Sequence, residues 1–147
     1  MTVKTACTNY NALTHPRHCA AMFEITTEPH RKLVRLKLNA MLTRAQVLEL
    51  YRQEHSAIRS MGCALGEHIC IVDLTACPLQ LQEVAQAFQS EIGSSAKAKR
   101  LAMFTGTALA RMQARRIARE RDDVAIFEHR EEAEAWLFGA VQQQRAA

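Results

Sequence analysis

Residues Arg100–Ala118 read RLAMFTGTALARMQARRIA, and the order of apolar, turn and basic residues in this stretch sets the fold. The first five, ending at Phe104, form a run of strand length with the apolar character of a strand buried on both faces. Thr105-Gly106-Thr107 then breaks the run. A phosphate loop needs several converging backbone amides, usually helped by more than one glycine or by a following lysine. One glycine and no lysine fit that poorly, so Thr107 is read as the N-cap of a helix. Beyond it Leu109, Ala110, Ala114 and Ile117 share one helical face, expected to turn toward a sheet. Arg111, Arg115 and Arg119 recur every four residues on another face, which should be wet and basic.

The same unit recurs on either side. HICIVDL (His68–Leu74) is a β-branched apolar run, expected to be a buried strand. Pro78–Ile92 follows it as a helix with Leu81, Val84, Ala85 and Phe88 on one stripe and Gly93 as its stop. Downstream, VAIF (Val124–Phe127) leads to a helix with Ala133, Trp136, Leu137 and Ala140 at helical spacing, Trp136 being its anchor. Upstream, FEITT (Phe23–Thr27) and KLVRLKL (Lys32–Leu38) alternate as half-buried strands around a Glu28-Pro29-His30 turn, which predicts a hairpin. LTRAQV (Leu42–Val47) carries a capping box between Thr43 and Gln46, with Leu42 and Val47 able to staple the helix start. Leu48, Tyr51, His55 and Ile58 then mark an apolar stripe, and Gly62 a left-handed stop.

These elements predict an α/β domain of order ββαβαβαβα. Its sheet is five-stranded and mostly parallel, with one antiparallel hairpin strand, about four helices and right-handed crossovers. The domain should span residues 22–141, after a flexible N-terminal extension over 1–21 and before a short C-terminal tail over 142–147. The whole chain is 147 residues with 48% hydrophobic and 23% charged residues, as expected of one soluble globular domain. No apolar run reaches the roughly 18 residues needed to span a bilayer. The first 21 residues lack the apolar core of a secretory signal, so a cytoplasmic location is expected. Cys7, Cys19, Cys63, Cys70 and Cys77 make an odd set without CxxC spacing, and are expected to be free thiols rather than disulfides or metal ligands.

The net charge of +4 is unevenly spread. Lys97 to Arg121 holds eight basic residues against Glu120, and Asp122 to Leu137 holds six acids against Arg130. Neighbouring blocks of opposite sign can answer each other across a surface, so the basicity permits polyanion binding without requiring it.

On CIVDLTACPLQ (Cys70–Gln80), RLAMFTGTALARMQARRIA, and above all VAIFEHREEAEAWL (Val124–Leu137), the chain resembles the STAS-like domains, also called SpoIIAA-like. Within them it is similar to an uncharacterised bacterial branch of STAS/SEC14 type. The resemblance runs from Met22 to about Val141. It implies the fold above and a protein that works by recognition. The switch proteins of this group carry a phosphorylatable serine in an Asp-Ser-Ser-Gly motif after the third strand. Here the region reads DLTACPLQLQEV (Asp73–Val84), with Thr75 its only hydroxyl, so a phosphorylation-regulated anti-sigma partner is not implied.

In an open α/β sheet, ligands gather beyond the carboxyl ends of the parallel strands. Asp73, Thr75, Cys77, Thr105, Thr107 and His129 should stand at that rim as candidate ligand-binding residues, although Asp73 and the threonines equally suit turns and caps. Tyr51 and His55, a turn apart on the first helix, would share a pocket for a mostly apolar ligand. Arg111, Arg115 and Arg119 form the candidate partner-docking stripe. With no convincing acid–base pair, partnered nucleophile or metal set, the expectation is a non-catalytic module without cofactor or metal. It would bind a protein partner, a second copy of itself as a homodimer, or a small apolar ligand. The alternatives are a small hydrolase or transferase using Cys77 with His129 or His55, and a nucleic-acid binder gripping through the basic helix. The last is disfavoured, because no aromatic residue interleaves the arginines to stack on bases.

Overall fold

A computed structural model describes residues 2–3, 21–64, 66–94 and 97–145. Its strands are β1 (Thr2–Val3), β2 (Phe23–Glu28), β3 (Leu33–Leu38), β4 (Ile69–Asp73), β5 (Arg100–Phe104) and β6 (Val124–Phe127). The helices are α1 (Arg44–Ser60), α2 (Gln82–Ser94), α3 (Ala108–Ile117) and α4 (Arg130–Arg145). The strands lie in sheet order β1-β2-β3-β4-β5-β6. β1, β2 and β3 pair antiparallel, and β3 through β6 pair parallel. The expected mixed α/β architecture is therefore present, with the β2–β3 hairpin to one side of the parallel strands.

Because side chains alternate across a strand, each register row of the sheet faces one way. Leu36, Val72, Met103 and Ile126 lie side by side across β3 to β6. This row belongs to the larger core, built with Val47, Leu50 and Ile58 of α1, Val84 and Phe88 of α2, and Ala114 of α3. The next row, through Ile71 and Ala102, faces the other way. With Leu33, Ile69 and Phe104 it packs against Ala133 and Leu137 of α4. Three helices thus cover one face and a single helix part of the other.

Several local readings need correction. β1 pairs Thr2 with Thr26 and Val3 with Ile25, so these two residues, expected in a flexible extension, instead cover the open edge of β2. Residues 4–20 of that extension, with Cys7 and Cys19, lie outside the described residues. At the other end, 142–145 were expected in a tail but continue α4, since glutamines and arginine are good helix formers.

The capping box at Thr43 forms as expected: Gln46 N donates to Thr43 Oγ1 at 3.2 Å, and Thr43 N to Gln46 Oε1 at 2.8 Å. Its staple sets the phase of α1. Leu42 and Val47 are both buried, so the inward face continues through Leu50, Glu54 and Ile58. Leu48 is 50% exposed and falls off the stripe expected of it. Gly62 has φ 72°, the left-handed turn that ends the helix.

α2 begins at Gln82 rather than Pro78, because side-chain hydrogen bonds at Gln80 tie down the segment before it. Gln80 accepts from Leu42 N at 2.9 Å through Oε1, and its Nε2 donates to Ala40 O at 3.1 Å. Its backbone is clasped by Gln113 of α3, N to Oε1 at 3.0 Å and O from Nε2 at 2.8 Å. Leu81 is consequently 55% exposed, and Gly93 lies within the helix rather than stopping it. On α3, Thr107 holds the N-cap position with extended backbone but its side chain makes no capping hydrogen bond. Leu109, expected against the sheet, is 63% exposed. Ala114 is buried in the larger core and Ile117 packs against it, as expected.

Candidate functional site

The larger core does not close completely. A cavity of about 90 Å³ lies between the sheet and helices α1, α2 and α3. Leu36, Leu38, Val72 and Met103 form its sheet side, and Leu50, Phe88, Ile92 and Ala114 its helix side. Tyr51 lines it as well and packs edge-on against Phe88, ring centroids 6.3 Å apart. Exposed Pro78 and Lys97 also line the cavity, bringing it to the surface at either end of the parallel strands.

Its polar groups gather at those two ends. Near the carboxyl ends of the strands stand Cys77, Gln80 and Gln113. Gln80 and Gln113 are occupied by the clasp described above, so that end is structurally fixed. Near the amino ends stand Glu54, Lys97 and Arg121. Arg121 is answered: its guanidinium pairs with both Asp123 carboxylate oxygens and donates to Ala98 O at 3.0 Å. Glu54 is different. It is only 8% exposed on an otherwise apolar helix face, and its Oε1 accepts a long hydrogen bond from the Cys70 thiol at 4.0 Å. Burial pushes its pKa up to about 7, with Arg121 pulling the other way. Burial likewise raises the Tyr51 phenol and the Cys70 thiol far into their protonated range.

The expected rim of ligand residues is split by the sheet. Cys77 and Tyr51 line the cavity, whereas His55, Asp73, Thr75, Thr105, Thr107 and His129 do not. Asp73 belongs to the row that includes Phe104 and so faces the α4 side. There it lines a charged groove with Glu24, Arg35, Lys37 and Arg130. Its Oδ1 accepts from Thr75 N at 2.9 Å and Thr75 Oγ1 at 2.6 Å, closing a turn. Thr105 is fully buried, Thr107 and His129 are exposed, and His55 is half-buried on α1. Alternation along Ile69–Asp73 carried the missing signal, since Cys70 and Val72 face one way and Ile71 and Asp73 the other. Glu54 was missed because an acid on a helix defaults to the wet face. Its position i+4 from Leu50 was the available clue.

Cys77 is not set up as a nucleophile. Its thiol donates to Pro78 O at 3.4 Å and accepts from Gln80 Nε2 at 3.2 Å, and burial raises its pKa. A nucleophilic thiol needs the opposite shift. Cys63, Cys70 and Cys77 are free, and no cluster of three metal-ligating side chains occurs among the described residues.

Outside the cavity, a shallow groove of about 520 Å³ runs between α2 and α3. Leu79, Leu109 and Met112 line it at 46%, 63% and 49% exposure, with Arg116 at its side. Of the arginine stripe, Arg111 is turned inward and donates to Thr105 O at 3.0 Å, while Arg115 and Arg119 are exposed and Arg119 lies beyond the end of α3. Among the described residues no helix is long and apolar enough to cross a membrane.

This architecture is the SpoIIAA-like fold. An uncharacterised protein of the DUF3478 family from Shewanella loihica PV-4, whose crystal structure has that fold, is similar over 78% of this chain and 93% of its own, with TM-score 0.59 and 20% identity. No family model and no curated protein matches the chain.

Proposed function

We propose that this protein is a non-catalytic binding module that holds a small, mostly apolar molecule between its sheet and helices α1 to α3. The supporting observation is the cavity. Native cores pack with few voids larger than a water molecule, and a space of this size lined by leucine, valine, methionine and phenylalanine forfeits contacts that a ligand would restore. Catalysis finds less support, because burial holds both thiols on the cavity, Cys70 and Cys77, protonated, and Cys77 is bonded to a glutamine. An apolar cavity of roughly 150 Å³ can hold benzene, and this one, about 90 Å³ and open at its ends, suits a ligand of similar or smaller size.

Amide chemical shifts recorded while toluene is added test the reading. Saturable shifts confined to residues around Leu50, Val72, Phe88 and Met103 are expected. Shifts that grow linearly and without locality would remove it.

A second reading, a protein partner docking between α2 and α3, is favoured by the exposed trio Leu79, Leu109 and Met112 beside Arg116. Exposed apolar patches commonly mark contact surfaces. Replacing Leu109 and Met112 with serine should leave folding intact and abolish any concentration-dependent self-association seen by analytical ultracentrifugation. Unchanged association would place the contact elsewhere.

A further inference from the structure

We infer that the ligand of this cavity carries a single uncharged hydroxyl, which docks against the Glu54 carboxyl at the amino-end side of the apolar space. The inference rests on the cavity reading above and goes further by assigning the chemistry of the ligand's polar end.

A carboxyl group removed from water needs hydrogen-bond partners, and leaving it under-partnered is costly. Glu54 sits at 8% exposure on the inward stripe of α1, between Leu50 and Ile58, and lines the cavity. The protein gives it a weak donor, the Cys70 thiol at 4.0 Å. A ligand hydroxyl donating to the carboxyl would supply the stronger one.

The charges around the cavity select against the other polar ends. The titratable or charged groups lining it with Glu54 are Tyr51 from α1, Cys70 from β4, Cys77 ahead of α2, Lys97 ahead of β5, and Arg121 after α3. Glu91 of α2 lies close enough to act on Tyr51. An ammonium ion would enter beside Lys97 and Arg121. A carboxylate would meet Glu54 itself, and the guanidinium that would receive it is already held by Asp123 and the Ala98 carbonyl. A neutral donor avoids both penalties.

Phenol and toluene are nearly equal in size and differ by the hydroxyl, so their affinities for the full-length protein, read from amide shifts, isolate its contribution. Phenol is expected to bind about tenfold more tightly than toluene, the scale of one hydrogen bond to an ionisable acceptor. Its advantage should grow between about pH 6 and about pH 8, as the carboxyl ionises and becomes the stronger acceptor. Phenol itself stays protonated there, as a tyrosine side chain does. Glu54→Gln keeps an acceptor and should retain part of the preference, with the pH dependence gone. Glu54→Leu should abolish the preference while toluene still binds.

Toluene binding as tightly as phenol to the wild-type protein would overturn this inference and leave the cavity reading standing. So would benzoate binding more tightly than phenol. Binding of neither toluene nor phenol would overturn both. The wild-type comparison decides the matter even if Glu54→Leu fails to fold.

Discussion

Glu54 ties stability to pH through the same burial that makes it a candidate contact. Its folded pKa of about 7 stands above the ordinary 4.5. Between those values the folded protein keeps a proton that the unfolded chain has released. Stability therefore falls as pH rises through this window, by about 3 kcal/mol in all. His68 pulls the other way. It is fully buried with both ring nitrogens lacking a hydrogen-bond partner, and burial lowers its pKa below 6.5, aided by His55 and Arg121. Below about pH 6.5 the unfolded chain takes a proton that His68 resists, so its contribution is lost as pH falls. Urea midpoints measured from about pH 5 to about pH 8 should thus fall less in the wild-type protein than Glu54 alone would dictate. Glu54→Gln should remove the opposing slope and reveal stability that rises with pH. A Glu54→Gln profile with the same slope as the wild type would show that the acid is not buried in this way.

At the scale of elements, side chains that satisfy backbone groups set where helices begin. Thr43→Ala removes one half of the capping box and should cost about 1 kcal/mol, seen as a lower urea midpoint with unchanged slope. Gln80→Ala should cost about 1 to 3 kcal/mol, because the Leu42 amide loses its acceptor in a buried place. Faster hydrogen exchange at Leu42 would report it directly, and unchanged exchange would refute the clasp. These two cases also mark how far the sequence could be read. Thr43 and Gln46 act across three residues, so their box was legible beforehand. Gln80 works through Leu42 and Gln113, partners 38 and 33 residues away, and no local pattern announces them. That long-range clasp is why α2 starts at Gln82 and not at Pro78. Periodicity found each helix but assigned Leu48, Leu81 and Leu109 to inward faces on which they do not lie. Ala114 and Ile117 rather than Leu109 pack α3 on the larger core.

For the whole molecule, the sheet separates two cores of unequal size. The smaller depends on one helix, so Leu137→Ala, at a fully buried position of α4, should cost about 2 to 5 kcal/mol. Because both cores share β4 and β5, unfolding should remain a single transition, with far-UV circular dichroism and calorimetry coinciding. Two separated transitions would mean that the faces fold independently. The order of strands and helices was legible because alternating βα units constrain topology strongly. The cavity was legible at two of the eight expected ligand residues. Tyr51 and Cys77 do line the cavity, but the expected rim at the carboxyl ends assumed one shared side, and Asp73 faces the other.

Trp136, the sole tryptophan of the chain, lies on that other side. Its indole packs against the Arg100 guanidinium, 4.7 Å from the ring centroid, and against the Phe127 ring at 5.8 Å. Its intrinsic emission therefore reports the seating of α4 and is screened by the full thickness of the sheet from whatever enters between β4 and α1. A quiet emission spectrum in a titration would carry no information about occupancy. A tryptophan placed at Phe88, against Tyr51, would give the protein an optical probe on the side that matters.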